Sequence, residues 1–86
     1  ALSSTQARRF AAAMEHLRAG RRQQALDDAR ALSREAPDAL DARQLLAMCL
    51  AEAGDVDGAD AAFKAALALA PGNEQVALNA ATWWRR

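Results

Sequence analysis

His16 and Cys49 are the only histidine and the only cysteine in the chain, so any nucleophilic or metal chemistry has to begin from one of them. A nucleophile–base pair or a zinc site needs two or more convergent partners, and none stands at helical spacing from His16. A packing role is the simpler reading of that imidazole. Cys49 falls among leucines and alanines and reads as a small apolar side chain; a reactive thiolate would need a nearby cation. Asp55, Asp57 and Asp60 with Gly58 have the look of a calcium loop. The glycine comes too early, however, and no glutamate closes the set at the twelfth position. A capped, solvated helix start accounts for them. Arg21–Arg22 and Arg85–Arg86 could meet phosphates, but arginines near helix ends more often complement the helix dipole. Trp83–Trp84 is the oddest feature. Adjacent helical residues point about 100° apart, so both cannot pack equally on one face. The expectation is that Trp84 docks on the preceding helices and that Trp83 is buried beside it rather than left as an exposed anchor. No catalytic residue, metal or cofactor is expected.

The elements that would position these groups follow from composition and repeat. Eighty-six residues, 52% hydrophobic but only 5% aromatic, with alanine and leucine dominant, suit thin, closely packed helices and suit a sheet poorly. The length allows one domain at most. Eleven basic and eleven acidic residues cancel, which leaves no global field for nucleic acid or an anionic membrane. The halves differ: residues 1–36 carry seven arginines against four acids, and residues 37–86 carry four basic groups against seven acids. A single cysteine forbids an internal disulfide and fits a reducing compartment such as the cytoplasm. No apolar run approaches the roughly 20 residues that span a bilayer, and no signal peptide is visible.

Shifting the chain by 34 residues lays Gly20 on Gly54, Pro37 on Pro71, Met14 on Met48, Ala13 on Ala47 and Ala25 on Ala59. Nine of 32 positions are identical between residues 6–37 and 40–71. Glycine and proline are punctuation, so their coincidence weighs more than the alanines. Each unit reads as two helices. Unit one, about residues 4–37, begins with a Ser3-x-x-Gln6 capping box, runs helical to about Ala19, turns at Gly20 and continues to about Glu35. In unit two, about residues 38–71, Asp38 caps a helix over about 39–53 whose buried stripe is Leu46, Cys49, Leu50 and Ala53. Gly54 ends that helix. Asp55 caps the next, with Val56, Ala59, Phe63, Ala66, Leu67 and Leu69 as its apolar side. A last helix occupies about residues 73–86. The count is five helices, or two and a half units.

These residues resemble the tetratricopeptide repeat, whose 34-residue signature places W-x₂-L-G-x₂-Y before an alanine, an aromatic, an alanine and a proline. Unit two carries Arg43, Leu46, Ala47 and Leu50 at the first four signature positions, then Gly54, Asp55, Ala59, Phe63, Ala66 and Pro71. Unit one is weaker, with Arg9, Ala12, Ala13 and His16, but keeps Gly20, Ala25 and Pro37. In the last, partial unit Ala80 and Ala81 replace leucine and glycine, and Trp84 takes the tyrosine position. The resemblance implies an all-α fold of antiparallel helix pairs stacked as a right-handed α-solenoid. It also implies a concave groove, lined by the first helix of each pair, that accepts a protein or peptide segment. Carried onto this chain, the groove positions are Ala7, Phe10, Met14 and Leu17; Asp41, Gln44, Met48 and Ala51; and Gln75, Leu78, Asn79, Thr82 and Arg85. Two methionines in register suggest an adaptable apolar strip. Members of the family that bind chaperone C-termini hold the carboxylate with lysine, asparagine and arginine. Here Phe10 and Met14 stand at clamp positions and the sole lysine, Lys64, lies on a second helix, which argues against that clamp.

Three readings follow: a non-catalytic interaction module or scaffold; a homodimerising structural unit in which the apolar stripe is covered by a mate; and the repeat segment of a larger enzyme. The last rests on a likeness to alanine- and arginine-rich bacterial repeats that precede catalytic domains.

Overall fold

A computed structural model describes residues 2–85; Arg86, where the last helix was expected to finish, lies outside the described residues, as does Ala1. Five helices follow one another: α1 Ser4–Arg18, α2 Arg22–Glu35, α3 Leu40–Glu52, α4 Val56–Leu69 and α5 Glu74–Trp84. Among the described residues there is no strand. This is the helical fold that the repeat implied.

Both helix pairs turn in the same way. At the end of α1 the Arg21 amide donates to the His16 carbonyl at 2.8 Å and the Gly20 amide to Leu17 at 3.2 Å. At the end of α3 the Asp55 amide donates to Leu50 at 3.0 Å and the Gly54 amide to Ala51 at 3.1 Å. These are paired Schellman closures, and they need a left-handed residue at the exit. Gly20 and Gly54 supply it, with φ of 82° and 80°, where a Cβ would be strained.

Capping follows the sequence with one exception. Ser3 and Gln6 form the reciprocal box on α1. Asp55 accepts from the Gly58 amide at 2.9 Å, and Asn73 accepts from the Val76 amide at 3.1 Å. Asp38 does not cap α3. It sits inside a turn closed by the Ala39 amide on the Ala36 carbonyl at 3.0 Å, one residue too early, so Ala39 is the N-cap and offers no side-chain acceptor. Arg43 steadies this turn instead by donating from Nε to the Pro37 carbonyl at 2.9 Å.

Each helix packs on its sequence neighbour, and α1 also touches α3. The result is a slab of 30 × 27 × 17 Å, about two helix diameters thick. One continuous core joins both units: Ala13, Ala25, Leu26, Ala29, Leu32, Ala42, Leu45, Ala47, Cys49, Leu50, Ala59, Phe63 and Ala80. Ala13, Ala25, Ala47 and Ala59 have no exposed surface, so helix axes meet at these small residues, and Phe63 fills the wider gap beside them. No polar or charged residue is buried among the described residues, and the core therefore carries no desolvation penalty for unpaired polar groups.

The apolar faces differ from the expected ones at helix ends. Ala53 is exposed, Val56 is 62% exposed and Leu69 is 39% exposed. Ala53 and Val56 flank the Gly54 turn, beyond the reach of a neighbouring helix, and Leu69 closes α4 at the far edge. Leu45, absent from the expected stripe, is fully buried, because α3 is packed by α2 on one side and α4 on the other.

Candidate functional site

The 34-residue register sets α1, α3 and α5 to contribute side chains to one face. Phe10 and Met14 from α1, Asp41, Gln44, Leu45 and Met48 from α3, and Asn79 from α5 line a shallow groove of about 140 Å³. Met48 and Asn79 also border a second hollow of about 190 Å³, completed by Ala51, Glu52, Phe63, Thr82 and Trp83. The two run on from each other along the slab. Phe10, Met14, Met48 and Ala51 are half-buried and pack against the core, so the floor is apolar and anchored.

Polar character comes from an amide chain. The Asn79 Nδ2 donates to Gln44 Oε1 at 2.6 Å, and Gln75 Nε2 donates to Asn79 Oδ1 at 3.0 Å. This chain ties α5 to α3 across the groove and orients the Gln44 and Gln75 amides. Thr82 spends its hydroxyl on the Leu78 carbonyl of its own helix, at 2.8 Å. Among the described residues, Asp41 and Glu52 are the acidic side chains that line the two hollows, and no arginine or lysine lines either. The field is mildly negative and offers no counter-charge to a carboxylate.

Of the residues singled out in sequence, Phe10, Met14, Gln44, Met48, Asn79 and Thr82 border these hollows. Gln75 joins only through its hydrogen bond to Asn79. Leu17 is half-buried near the end of α1, outside both hollows, and packs on the core. Leu78 points away into solvent, 55% exposed. Sequence reasoning missed Phe63 and Trp83 as part of this face. Their rings stack at 5.9 Å between centroids with 27° between planes.

That stack also corrects the expected roles of the two tryptophans. Trp83, not Trp84, is the ring pressed into the preceding pair, while Trp84 is 47% exposed. The Trp84 indole N–H donates to the Asp60 carboxylate. Lys64 meets the other oxygen of that carboxylate at 3.1 Å. The hydrogen bond from Trp84, and then Lys64, hold the Asp60 pKa below its ordinary 3.8. Trp83, Trp84, Asp57, Asp60, Val56, Gly54 and Ala51 border a separate open cleft of about 520 Å³ where α3 turns into α4. Helical periodicity gives no signal for this cluster, because Phe63 and Trp83 lie on different helices.

The remaining reactive groups have structural surroundings. His16 is half-buried, accepts from Arg21 Nε on Nδ1 at 2.7 Å and lies 3.8 Å from Asp28. It thus bridges the start and end of the first turn. Burial, with smaller contributions from Asp28 and Glu52, pushes the Cys49 thiol up to about 11, far from a nucleophilic thiolate. The Asp55 carboxylate is used by the Gly58 amide, and a Cβ at position 58 would collide with that carboxylate. Among the described residues no three metal-ligating side chains converge, and no helix is long and apolar enough to cross a membrane.

Comparison with protein families matches residues 16–81 to the tetratricopeptide repeat, more than three quarters of the chain. The match opens at His16, inside α1, where the first unit departs most from the signature. Neither the curated proteins nor the solved structures yield a match. Five helices in 34-residue register, paired turns at Gly20 and Gly54, and a family match over most of the sequence identify the chain as a member of the tetratricopeptide repeat family, whose members serve as protein–protein interaction modules.

Proposed function

We propose that this chain is a single non-catalytic binding module, built from units over about residues 4–37 and 38–71 and a terminal helix from about 73, that holds an extended peptide segment along the α1–α3–α5 face. The observation that carries this reading is the placement of Phe10, Met14 and Met48 as an apolar strip beside the Gln44–Asn79–Gln75 amide chain. Thioether and phenyl groups give a floor that repacks around different side chains, while oriented amides suit the alternating donors and acceptors of a peptide backbone. Asp41 and Glu52 at the margin favour a segment with apolar anchors and a net positive charge, and disfavour a carboxylate terminus. Nucleic acid and membranes are not partners in this reading. A reducing compartment such as the cytoplasm suits the buried, unpaired Cys49.

A random dodecapeptide display library panned on the intact protein tests this directly. Enriched peptides should carry apolar residues with lysine or arginine, and should bind in fluorescence polarisation. Met48→Glu, and separately Phe10→Glu with Met14→Glu, should weaken that binding by at least about tenfold, with the helical circular dichroism retained. Ala61→Glu, on the exposed outer side of α4, should change nothing. Enrichment of acidic peptides, or peptides that bind the Met48→Glu protein equally well, would contradict the groove.

A further inference from the structure

Acids near helix ends in the first unit are answered by bases. Glu15, near the end of α1, pairs with Arg18 at 2.9 Å, and Glu35, which closes α2, pairs with Arg9. Glu52 closes α3 and is exposed, yet among the described residues no base meets it. A carboxylate at that position opposes the negative end of the helix dipole. Its counterpart thirty-four residues earlier is Arg18, the charge that a helix end favours. Unit two thus carries an acid that its own fold does not need.

Asp41 stands eleven residues before Glu52. That spacing is three helical turns with about 20° of rotation left over, so both acids project from one stripe of α3. Asp41 is also exposed, and among the described residues no base meets it. It suits the positive start of α3, which makes Glu52 the more telling of the two. Asp41 borders the first hollow and Glu52 the second, and Met48, which lines both, lies between them on the helix. The two positions are about 16.5 Å apart along the helix axis. Screening acts over about 8 Å at physiological salt, so one cation cannot serve both.

We infer that Asp41 and Glu52 together select a segment with two cationic side chains, lysine or arginine, about five residues apart. The inference rests on the extended peptide of the proposed function. An extended chain advances about 3.3 Å per residue, so five residues span the gap between the acids. Apolar side chains between the two cations rest on Met48.

Fluorescence polarisation of the intact protein tests the spacing. The probes are labelled peptides of leucine, serine and threonine with two arginines two to eleven positions apart, in about 0.1 M salt. Affinity should peak at separations of about four to six, because arginine stems are flexible, and fall roughly threefold at two and at eleven. Asp41→Lys and Glu52→Lys should each weaken the best peptide by roughly tenfold. Replacing one arginine of that peptide by glutamate should restore binding to one variant, and replacing the other should restore it to the second. Glu52→Gln should raise the thermal midpoint slightly while weakening the peptide, opposite signs that a structural acid would not give. Circular dichroism separates lost binding from lost helix, and the spacing series needs no variant should Asp41→Lys fail to fold. Affinity indifferent to spacing, a maximum at eleven as a helical partner would give, or one glutamate peptide rescuing both variants would overturn the acid pair. The groove itself would stand in those cases if Met48→Glu still weakened binding. Wild-type protein that binds none of the peptides, or Met48→Glu protein that binds them equally well, would overturn groove and pair together.

Discussion

In α2 the chain buries Ala29 and Leu32; at the matching places in α4 it buries Phe63 and Ala66. Large and small have traded positions between units whose turns are otherwise alike, down to left-handed glycines within 2° of each other. The backbone repeats because its hydrogen-bond closure allows one solution. The filling does not repeat, because a packed interior constrains total volume more than the identity of each side chain. Unit one closes its gap with two leucines, Leu26 and Leu32. Unit two uses Phe63, reinforced by the Trp83 ring stacked on it.

The contrast can be broken most severely at those fillers. Phe63→Ala removes a nearly buried ring together with its stacking partner and should cost about 3–5 kcal/mol; Leu32→Ala should cost about 2–5 kcal/mol. Urea denaturation followed by circular dichroism measures both. Against a total of about 5–15 kcal/mol for native domains, either change should bring the protein close to unfolding at room temperature. A loss below about 1 kcal/mol at Phe63 would mean the ring is dispensable and the two units do not close the same gap.

A smaller effect separates the two turns. Asp55 caps α4, whereas Arg21, its equivalent, gives α2 no side-chain cap. Asp55→Ala should therefore destabilise by about 1 kcal/mol, and Arg21→Asp should stabilise by a similar amount, less whatever the Arg21–His16 hydrogen bond contributes. Thermal melting reads both signs. If Arg21→Asp destabilises by as much as Asp55→Ala, that hydrogen bond outweighs a cap.

The smallest difference is electrostatic and lies at Asp60 of unit two, which is held by Trp84 and Lys64. Asp60 has a pKa below its ordinary value in the folded state, so its contribution is present at neutral pH. It is lost only as pH falls below about 3.8 and through the folded value. Tryptophan emission should shift there as the Trp84 contact loosens, and Asp60→Asn should remove that shift. Leu26 holds the equivalent place in unit one and has no carboxylate to offer.

Much of this was legible from residue types because the punctuating residues have few alternatives. Gly20 and Gly54 mark exits that only glycine enters cheaply, Ser3 with Gln6 marks an entry, and Phe63 among alanines marks a gap to fill. What was not legible depends on neighbours. Periodicity assigned Ala53, Val56 and Leu69 to buried faces, but it cannot tell where an adjacent helix stops. It passed over Leu45 because α3 is enclosed from two sides and has no single apolar stripe. Asp38 has the chemistry of a cap and the wrong register, since a turn beginning at Ala36 consumes it. Trp83 and Trp84 are 100° apart on α5, and the ring of Phe63 on another helix decides which one turns inward. On the candidate groove, the register brought Phe10, Met14, Gln44, Met48 and Asn79 to one face. Leu17 and Leu78 face elsewhere, because the groove is shorter than the helices that line it.

The central claim is that neither unit can hide its apolar side without the other. Both tryptophans lie on α5, far along the chain from Leu32, so they report a distant effect. Urea unfolding of Leu32→Ala should be followed by tryptophan fluorescence and by far-ultraviolet circular dichroism in the same samples. Coincident transitions, with the fluorescence midpoint lowered as far as the helical one, are predicted. A fluorescence midpoint left at the wild-type value while helicity is lost earlier would show that the units stand independently, and would contradict the account.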